Sequence, residues 1–217
     1  IGEIVELTVS VRPGEVRAGG SAAVEVSGID RYGNAIPDPP GVSVEITPRI
    51  GSLERVEGGW RYRAPERLEA EVVTLTARMG DLRAEAIVRL VPGELAEVKI
   101  EPEKIELRAG EEVKLRAKGY DRFGNPVEVS PSWGISPGLG ELSGEGDEAV
   151  YRAVRAGRET IRAVEGGIYG EVAVTVLPGE PASIELEPEE AVLRSGENLT
   201  IRAGGVDRLS LIHISEP

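Results

Sequence analysis

One short polar segment occurs twice in full in this chain and begins a third time. Residues 28–36 read GIDRYGNAI, residues 119–127 read GYDRFGNPV, and residues 204–208 read GGVDR. Other landmarks keep the same distances: Asp30, Asp121 and Asp207 are 91 and 86 residues apart, and so are Gly19, Gly110 and Gly196. Internal periodicity on this scale is typical of tandem modules. The chain is therefore predicted to be an array of similar domains.

The junctions between the modules set their limits. VPGELA at 91–96 recurs as LPGEPA at 177–182. We therefore expect a first repeat over residues 4–95, a second over residues 96–181, and the truncated start of a third over residues 182–208.

The last nine residues depart from the repeat. After Arg208 the repeat predicts an aromatic residue, Gly and Asn, but the sequence reads LSLIHISEP, which resembles translated sequencing-adapter DNA. Residues 209–217 are interpreted as a non-native, adapter-derived tail, with a natural variant terminus as the alternative. Residue 1 is Ile and is not followed by a basic, apolar leader, so we expect this sequence to be a fragment.

Within a repeat the apolar residues alternate with period two. Val113, Leu115 and Ala117 are separated by Lys114 and Arg116, as in a strand with one buried face. In the second repeat this pattern predicts strands at 97–101, 103–108, 112–119, 128–136, 148–153, 159–164 and 168–177. Seven short strands in one repeat indicate an antiparallel β-sandwich of immunoglobulin-like type. The predicted fold class is all-β: two complete tandem sandwiches and a truncated third.

The repeated polar segment has the composition of a corner between sheets. An Asp side chain accepts hydrogen bonds from backbone N–H groups further on, and Gly tolerates the positive φ of a tight turn. Pro126 then fixes an extended exit from the second copy. The alternative is that Asp30 or Asp121 ligates calcium together with nearby carbonyl oxygens. We predict the structural role, and therefore no metal ligand.

These corners resemble the bacterial immunoglobulin-like repeat of the invasin and intimin type. Its Asp-x-x-Gly-Asn-Pro-Val pattern is matched throughout by residues 121–127, whereas Ala35 replaces the proline after residues 30–34. A later Gly-x-x-Thr-Ile-x-Ala pattern is matched by Gly157, Thr160, Ile161 and Ala163. The resemblance covers about residues 4–208. It implies a spacer or stalk in adhesion or surface attachment, in which a separate terminal domain recognises the ligand, so no binding residue is carried over.

Charge and apolar content exclude several partners. The chain has 217 residues and a formal net charge of −13. Nucleic-acid binding draws on clustered Lys and Arg, whereas Arg is here interleaved with Glu, so no nucleic-acid partner is expected. No stretch approaches the roughly 18 apolar residues of a membrane span. The absence of Gln and the excess of Glu and Arg fit a thermophilic source, with a GC-rich genome as the alternative.

The residues that usually carry catalysis are scarce. There is no Cys, and the single histidine, His213, lies in the interpreted tail, so neither a Ser–His–Asp triad nor a His or Cys metal site is expected. A hydrolase with two carboxylates facing each other across a cleft is a third class of function. The many Glu residues are better explained as side chains on the solvent-exposed faces of strands. We predict no enzyme activity and name no catalytic, cofactor-binding or metal-ligating residue.

The aromatic residues support the main rival function, an accessory carbohydrate-binding module of a polysaccharide-degrading enzyme. The candidates for stacking on sugar rings are Trp60, Tyr62, Trp133, Tyr151 and Tyr169. Tyr62 and Tyr151 occupy matching positions of the repeat, in RYRA and VYRA, which favours a shared packing role. Trp60 and Trp133 have no such counterpart and would be the first members of a sugar site. Exposed, coplanar indoles would support that function, and burial of both would remove its best argument.

The resemblance leads to one functional prediction. We expect non-catalytic spacer repeats of a secreted or cell-surface protein, located outside the cell or on its surface. The expected partners are neighbouring repeats of the same chain, and a surface protein or glycan recognised by domains outside this sequence. Asn198 begins an N-x-Thr sequon, which matters only in an exported protein of an organism with that pathway, and chance is the simpler explanation.

Overall fold

The computed structural model describes residues 2–179, 181–207 and 212–214, and every regular element among them is a β-strand. The chain divides into two compact units. Unit 1 holds residues 1–96 together with Tyr120–Val127, and unit 2 holds residues 97–119 and 128–217. A short segment of the second sequence repeat is thus part of unit 1.

Nine strands form the body of unit 1. They are β1 (Ile4–Arg12), β2 (Glu15–Arg17), β3 (Ser21–Asp30), β4 (Ala35–Pro37), β5 (Ser43–Thr47), β6 (Ser52–Val56), β7 (Gly59–Arg63), β8 (Val72–Met79) and β9 (Leu82–Val91). One sheet has the order β1-β3-β7-β6 with β4 beside β3, and the other has the order β2-β9-β8-β5. β2 pairs with β9 in parallel, whereas β1 pairs with β3 antiparallel. The chain changes sheet between β1 and β2, where Pro13 offers no N–H to a ladder.

The core of unit 1 lies between these two sheets. Along β3, Ala22, Val24 and Val26 are buried while Ala23 and Glu25 are exposed, as the period of a strand requires. Ala22 and Val24 join β3 to the facing strands in one cluster, whose other buried members are Val16, Tyr62, Ala64, Val73, Leu75, Val88 and Leu90. Val26 belongs to a second cluster, with Leu7, Val42 and Ala77. Burial of these apolar side chains is the main force that holds the sandwich together.

The second repeat forms strands in the same order. They are β10 (Leu95–Glu101), β11 (Ile105–Arg108), β12 (Glu112–Asp121), β13 (Pro126–Val127), β14 (Ser132–Ser136), β15 (Gly140–Glu145), β16 (Glu148–Ala153), β17 (Gly157–Glu165) and β18 (Ile168–Leu177). The sheets are β10-β12-β16-β15, with β13 beside β12, and β11-β18-β17-β14. The buried side chains of unit 2 include Leu115, Ala117, Tyr151, Ile161, Val172 and Val174. The predicted all-β class of immunoglobulin-like sandwiches is confirmed.

Two of the predicted strand positions differ from the structure. The predicted strand at 128–136 is shortened to β14, because residues 128–131 form no strand. β15 was missed by the sequence pattern: its sequence, GELSGE, has one large apolar residue, Leu142, among glycines and polar residues. It is a strand because it pairs antiparallel with β16 along its whole length. Neighbouring strands override weak local propensity in such cases.

The described part of the third repeat is a single small sheet. β19 (Pro181–Glu187) pairs antiparallel with β20 (Arg202–Asp207), and β20 pairs with β21 (Ile212–Ile214). Its apolar side chains Ile184, Leu186, Leu199 and Ile201 are 38–74% exposed. Of the predicted tail at 209–217, only the backbone of β21 lies among the described residues.

Candidate functional site

The carboxylate of Asp121 is the centre of the second corner, residues 121–125. Asp121 ends β12 and is only 3% exposed. Its Oδ1 accepts hydrogen bonds from the backbone N–H groups of Phe123, at 2.8 Å, and Asn125, at 2.9 Å. Its Oδ2 accepts from the Asn125 side-chain amide at 2.8 Å and from the N–H of Gly93 at 2.7 Å. Four short hydrogen bonds therefore fix this carboxylate.

The side chain of Asn125 extends the corner to a loop of unit 1. Asn125 is 3% exposed, and its amide nitrogen also donates to the carbonyl oxygen of Glu66 at 2.7 Å. Its side-chain oxygen accepts from the N–H of Leu68 at 2.8 Å. Both partners lie in residues 64–68, which we call the latch loop. Asn125 thus joins Asp121 to two backbone groups that are 57 and 59 residues away from the asparagine itself.

Two further contacts surround the second corner. Phe123 packs on Gly19: a Cβ built on this glycine would lie 3.2 Å from the Phe123 Cζ. Arg17, two residues before Gly19, donates to the Glu94 carboxylate at 2.8 Å. The corner, the latch loop, the Arg17–Gly19 turn and the junction at Gly93 therefore form one polar assembly within unit 1.

The first corner, residues 30–34, has the same internal geometry. Asp30 is 4% exposed, and its Oδ1 accepts from the N–H groups of Tyr32 and Asn34, each at 2.9 Å. The N–H of Gly2 also bonds to this carboxylate. Among the described residues, however, the amide of Asn34 donates only to Asp30, at 3.2 and 3.1 Å to its two oxygens. Asn34 itself is exposed.

The hydrogen bonds of both corners favour the ionised carboxylates. For Asp121, burial alone would raise the pKa, but donation by the Asn125 side chain and by the N–H groups of Gly93, Asn125 and Phe123 brings the pKa below its ordinary value. Hydrogen bonds from Asn34 lower the pKa of Asp30 in the same way. Both aspartates are therefore charged at neutral pH.

This geometry argues against the alternative that Asp30 or Asp121 ligates calcium. Calcium needs several oxygen ligands, yet the oxygens of Asp121 and Asp30 already face N–H groups whose positive ends point at the position a cation would take. Within residues 2–179, 181–207 and 212–214, no group of three or more His, Cys, Asp or Glu side chains could hold a metal ion.

Gly93 is a functional residue that the sequence analysis missed. A Cβ at this position would lie 3.1 Å from the Asp121 Oδ2, so a side chain would crowd the carboxylate. Gly2 has the same relation to Asp30, at 2.9 Å. The signal was present in the sequence: Gly2, Gly93 and Gly179 each precede the corner aspartate of their repeat by 28 residues. The Glu66 carbonyl and the Leu68 N–H leave no such signal, because they are backbone groups.

Neither tryptophan is fully exposed. Trp60 is partly buried and packs against both hydrophobic clusters of unit 1, with the Arg55 guanidinium 4.9 Å from its ring. Its Nε1 is the buried side-chain polar atom that lacks a hydrogen-bond partner among the described residues. Trp133 is also partly buried; its Nε1 donates to the Gly146 carbonyl at 3.2 Å. Both tryptophans are thus partly buried, which meets neither the exposed, coplanar arrangement that would support a carbohydrate-binding module nor the burial that would remove its best argument.

Tyr62 and Tyr151 are both fully buried, at 0% exposure. The Tyr62 hydroxyl donates to the Ile50 carbonyl at 3.0 Å, while that of Tyr151 donates to the Glu159 carboxylate. Burial raises the pKa of both phenols, and Glu159 raises that of Tyr151 further. Glu159 is 4% exposed and also accepts from the Leu139 N–H at 2.7 Å. This buried carboxylate was not singled out from the sequence, because it replaces an apolar residue within an alternating strand.

The remaining residues that the sequence singled out are exposed, or have side chains outside the described part of the structure. Tyr169 is 56% exposed and carries the Arg162 guanidinium 4.9 Å from its ring. Asn198 is exposed in a segment without regular structure. The backbone of His213 belongs to β21, and its side chain is outside the described residues.

Carboxylates near the outer groove of unit 2 are engaged with cations. This groove is lined by residues of β10, β12, β15 and β16. At its rim Arg116 lies 2.9 Å from the Asp147 carboxylate and 4.0 Å from that of Glu148, while Lys118 lies 2.7 Å from that of Glu101. The contacts are those of a solvated strand face, and no pair of free acids faces across the groove in the part of the chain that the structure describes.

The chain is similar to solved immunoglobulin-like structures, although no family model and no curated protein matches its sequence. Invasin, a bacterial integrin-binding protein, is 14% identical with a TM-score of 0.60, covering 84% of this chain and 43% of invasin. The Escherichia coli adhesin FdeC is 15% identical with a TM-score of 0.56, covering 96% of this chain and 76% of FdeC. The surface-layer protein SbsC, domains 1–6, is 15% identical with a TM-score of 0.41; 99% of this chain covers 32% of that structure.

These similarities concern the fold. The chain spans about a third of the first surface-layer structures and less than half of invasin. None of the described segments is a helix of the length and apolar character needed to cross a membrane. The sandwich architecture, the length of the repeat and the Asp-x-x-Gly-Asn corner all indicate the same type of domain. The chain therefore has the fold of the bacterial immunoglobulin-like repeats found in invasin and related adhesins.

Proposed function

We propose that these repeats are non-catalytic structural spacers of a secreted or cell-surface protein. The observation that carries the proposal is the second corner, in which Asp121 and Asn125 are both buried and all their polar contacts go to the protein itself. A polar cluster whose groups all bond within the protein positions chain segments and leaves no free group for a reaction.

The contacts of the corner have a mechanical consequence. The junction at residues 92–94 contains a glycine, and a glycine without partners would permit a wide range of backbone angles. Here the N–H of Gly93 is bound by Asp121, and Glu94 is bound by Arg17. Each contact removes backbone or side-chain freedom from residues 92–94, so that the junction is held against unit 1.

The dimensions of a sandwich suit a spacer. β3 and β9 contain 10 residues each. At roughly 3.3 Å per residue, such strands are about 30 Å long, and each added repeat would extend the protein by a similar distance. Invasin binds integrin and FdeC is an adhesin; by analogy of fold we propose that the present repeats carry a recognition domain away from a surface.

Spin-label distance measurements test the spacer role. The chain has no cysteine, so Glu57→Cys and Arg122→Cys, both at exposed positions of unit 1, allow specific labelling of the sandwich and of the second corner. We expect a narrow distance distribution, which Asn125→Ala broadens because the latch loop loses both hydrogen bonds. Asn34→Ala is the matched control and should leave the distribution narrow. A distribution in the unsubstituted background that is as broad as in Asn125→Ala would contradict the proposal.

The surface location needs a separate test. Antibodies raised against the purified repeats should label intact cells of the source organism, or should detect the protein in its culture medium. Labelling seen only after the cells are permeabilised would contradict a secreted or surface-attached protein.

A further inference from the structure

We propose that the first corner is a docking site for the latch loop of another immunoglobulin-like repeat of this kind. The inference deepens the proposed function, and rests on it for the idea that these modules work in series. It is argued from equivalent residues of the two corners, which are 91 positions apart and have different surroundings.

The two asparagines differ in what they bind. Asn125 uses one amide hydrogen for Asp121 and donates the other to Glu66, while its oxygen accepts from Leu68. Asn34 turns its amide back onto the two oxygens of Asp30, and within the described part of the chain no donor reaches its oxygen. Within the described residues Asn34 therefore keeps an unoccupied side-chain oxygen, while its amide would have to release one Asp30 oxygen to donate to a partner as Asn125 does.

The two aromatic residues differ in exposure. Phe123 is partly buried because its ring lies on Gly19, where the missing side chain leaves room. Tyr32, its equivalent, is 76% exposed. A large ring held at the tip of an otherwise fixed corner is an anchor for a complementary surface. In the second corner that surface is a glycine turn of another repeat.

The acidic residue of each junction also changes partner. Glu94 pairs with Arg17, next to the glycine turn on which Phe123 packs. Glu3, its equivalent, pairs with Arg31, which belongs to its own corner. In the second corner the asparagine, the aromatic ring and the junction glutamate thus contact residues outside the corner. Their counterparts in the first corner bind within their own corner or remain exposed. The first corner has the conformation expected of the same site without its partner.

The required partner follows from the contacts of the second corner. It must present a carbonyl oxygen and an N–H two residues apart, as Glu66 and Leu68 do, and a nearby glycine turn preceded by Arg. A sandwich repeat carries these groups together at one end. A flexible peptide could supply the backbone pair but not the glycine turn and the arginine at fixed positions.

A chain with one added repeat tests the inference. Residues 1–92 are placed before residues 2–217, so that Pro92 of the added copy precedes Gly2 and reproduces the Pro-Gly-Glu junction. Tyr32→Ser in the added copy makes its peptides distinguishable by mass. Hydroxyl-radical labelling of the remaining Tyr32 is then compared in the original and the extended chain.

We expect labelling of Tyr32 to fall at least about twofold in the extended chain, because its 76% exposed ring would become partly buried like that of Phe123. Asn34→Ala should lower the melting temperature of the extended chain more than that of the original chain. Equal labelling in both chains, or an equal effect of Asn34→Ala in both, would overturn the inference.

The control separates this inference from the proposed function. Asn125→Ala in the extended chain removes a latch that the structure already contains. If Asn125→Ala broadens the spin-label distances but Asn34→Ala acts equally in both chains, only the docking site at the first corner is wrong. If the distances are broad without any substitution, the spacer role fails as well.

Discussion

Replacement of Asp121 by alanine removes the acceptor of four hydrogen bonds, at 2.7, 2.8, 2.8 and 2.9 Å. A buried donor left without a partner costs about 1–3 kcal/mol, and bonds to a charged acceptor lie at the upper end of that range. Water will reach some of the space vacated by the carboxylate. We therefore expect Asp121→Ala to lower the free energy of unfolding of unit 1 by about 3–5 kcal/mol.

The assay uses the two tryptophans as separate reporters. Trp60 lies in unit 1 and Trp133 in unit 2. In a Trp133→Phe background, fluorescence during urea denaturation therefore follows unit 1 alone. Asp81→Ala is the control: it removes a carboxylate from an exposed turn of the same unit, and should change stability by no more than about 0.5 kcal/mol. If Asp121→Ala proves no more destabilising than Asp81→Ala, the reasoning about the corner is wrong.

Four further results are expected. Because the pKa of Asp121 is lowered in the folded state, its contribution to stability is complete above the ordinary value of 3.8 and is lost as pH falls through the lower folded value; urea denaturation between pH 5 and pH 2 should show a loss that is smaller in Asp121→Asn. Burial raises the pKa of Tyr151, so its contribution is complete below the ordinary value of 10.0 and falls at higher pH; Tyr151→Phe should reduce the alkaline loss of stability followed by circular dichroism. Gly93→Ala should cost about 1 kcal/mol in urea denaturation, since its Cβ would lie 3.1 Å from the Asp121 Oδ2; an unchanged midpoint would show that the carboxylate moves freely. Trp60→Phe should change the calorimetric stability by less than about 1 kcal/mol, because the lost apolar surface is offset by removal of a buried donor without a partner; a large loss would indicate that Nε1 is hydrogen-bonded to water.

The sequence predicted the architecture because its two main signals are local. Alternation of apolar and polar residues defines β3 and β12, and a turn of Asp, Gly and Asn stops each of them. β15 lacked that signal: one leucine among glycines cannot define a buried face, and only pairing with β16 makes it a strand.

The candidate site could be predicted only in part. The carboxylate of Asp121 bonds the N–H groups two and four residues ahead, which is a local interaction that its sequence motif indicates. The partners Glu66 and Leu68 act through their backbone, so their side chains leave no signal, and only proline at position 68 would remove a donor. Glu159 lies within an apparently ordinary strand, and its partner Tyr151 is on β16, a strand of the other sheet, so the contact depends on how the two sheets pack.

The constant separation of each junction glycine from its corner aspartate has an evolutionary consequence. The repeats differ by five residues in length, and the whole difference lies between the corner asparagine and the next junction glycine: 59 residues from Asn34 to Gly93, 54 from Asn125 to Gly179. The difference in length thus lies outside the segment that runs from the junction glycine to the corner asparagine. A gene duplication that copies a whole module also copies its junction glycine and its corner aspartate. Modules could therefore be added or lost without new junction contacts having to evolve.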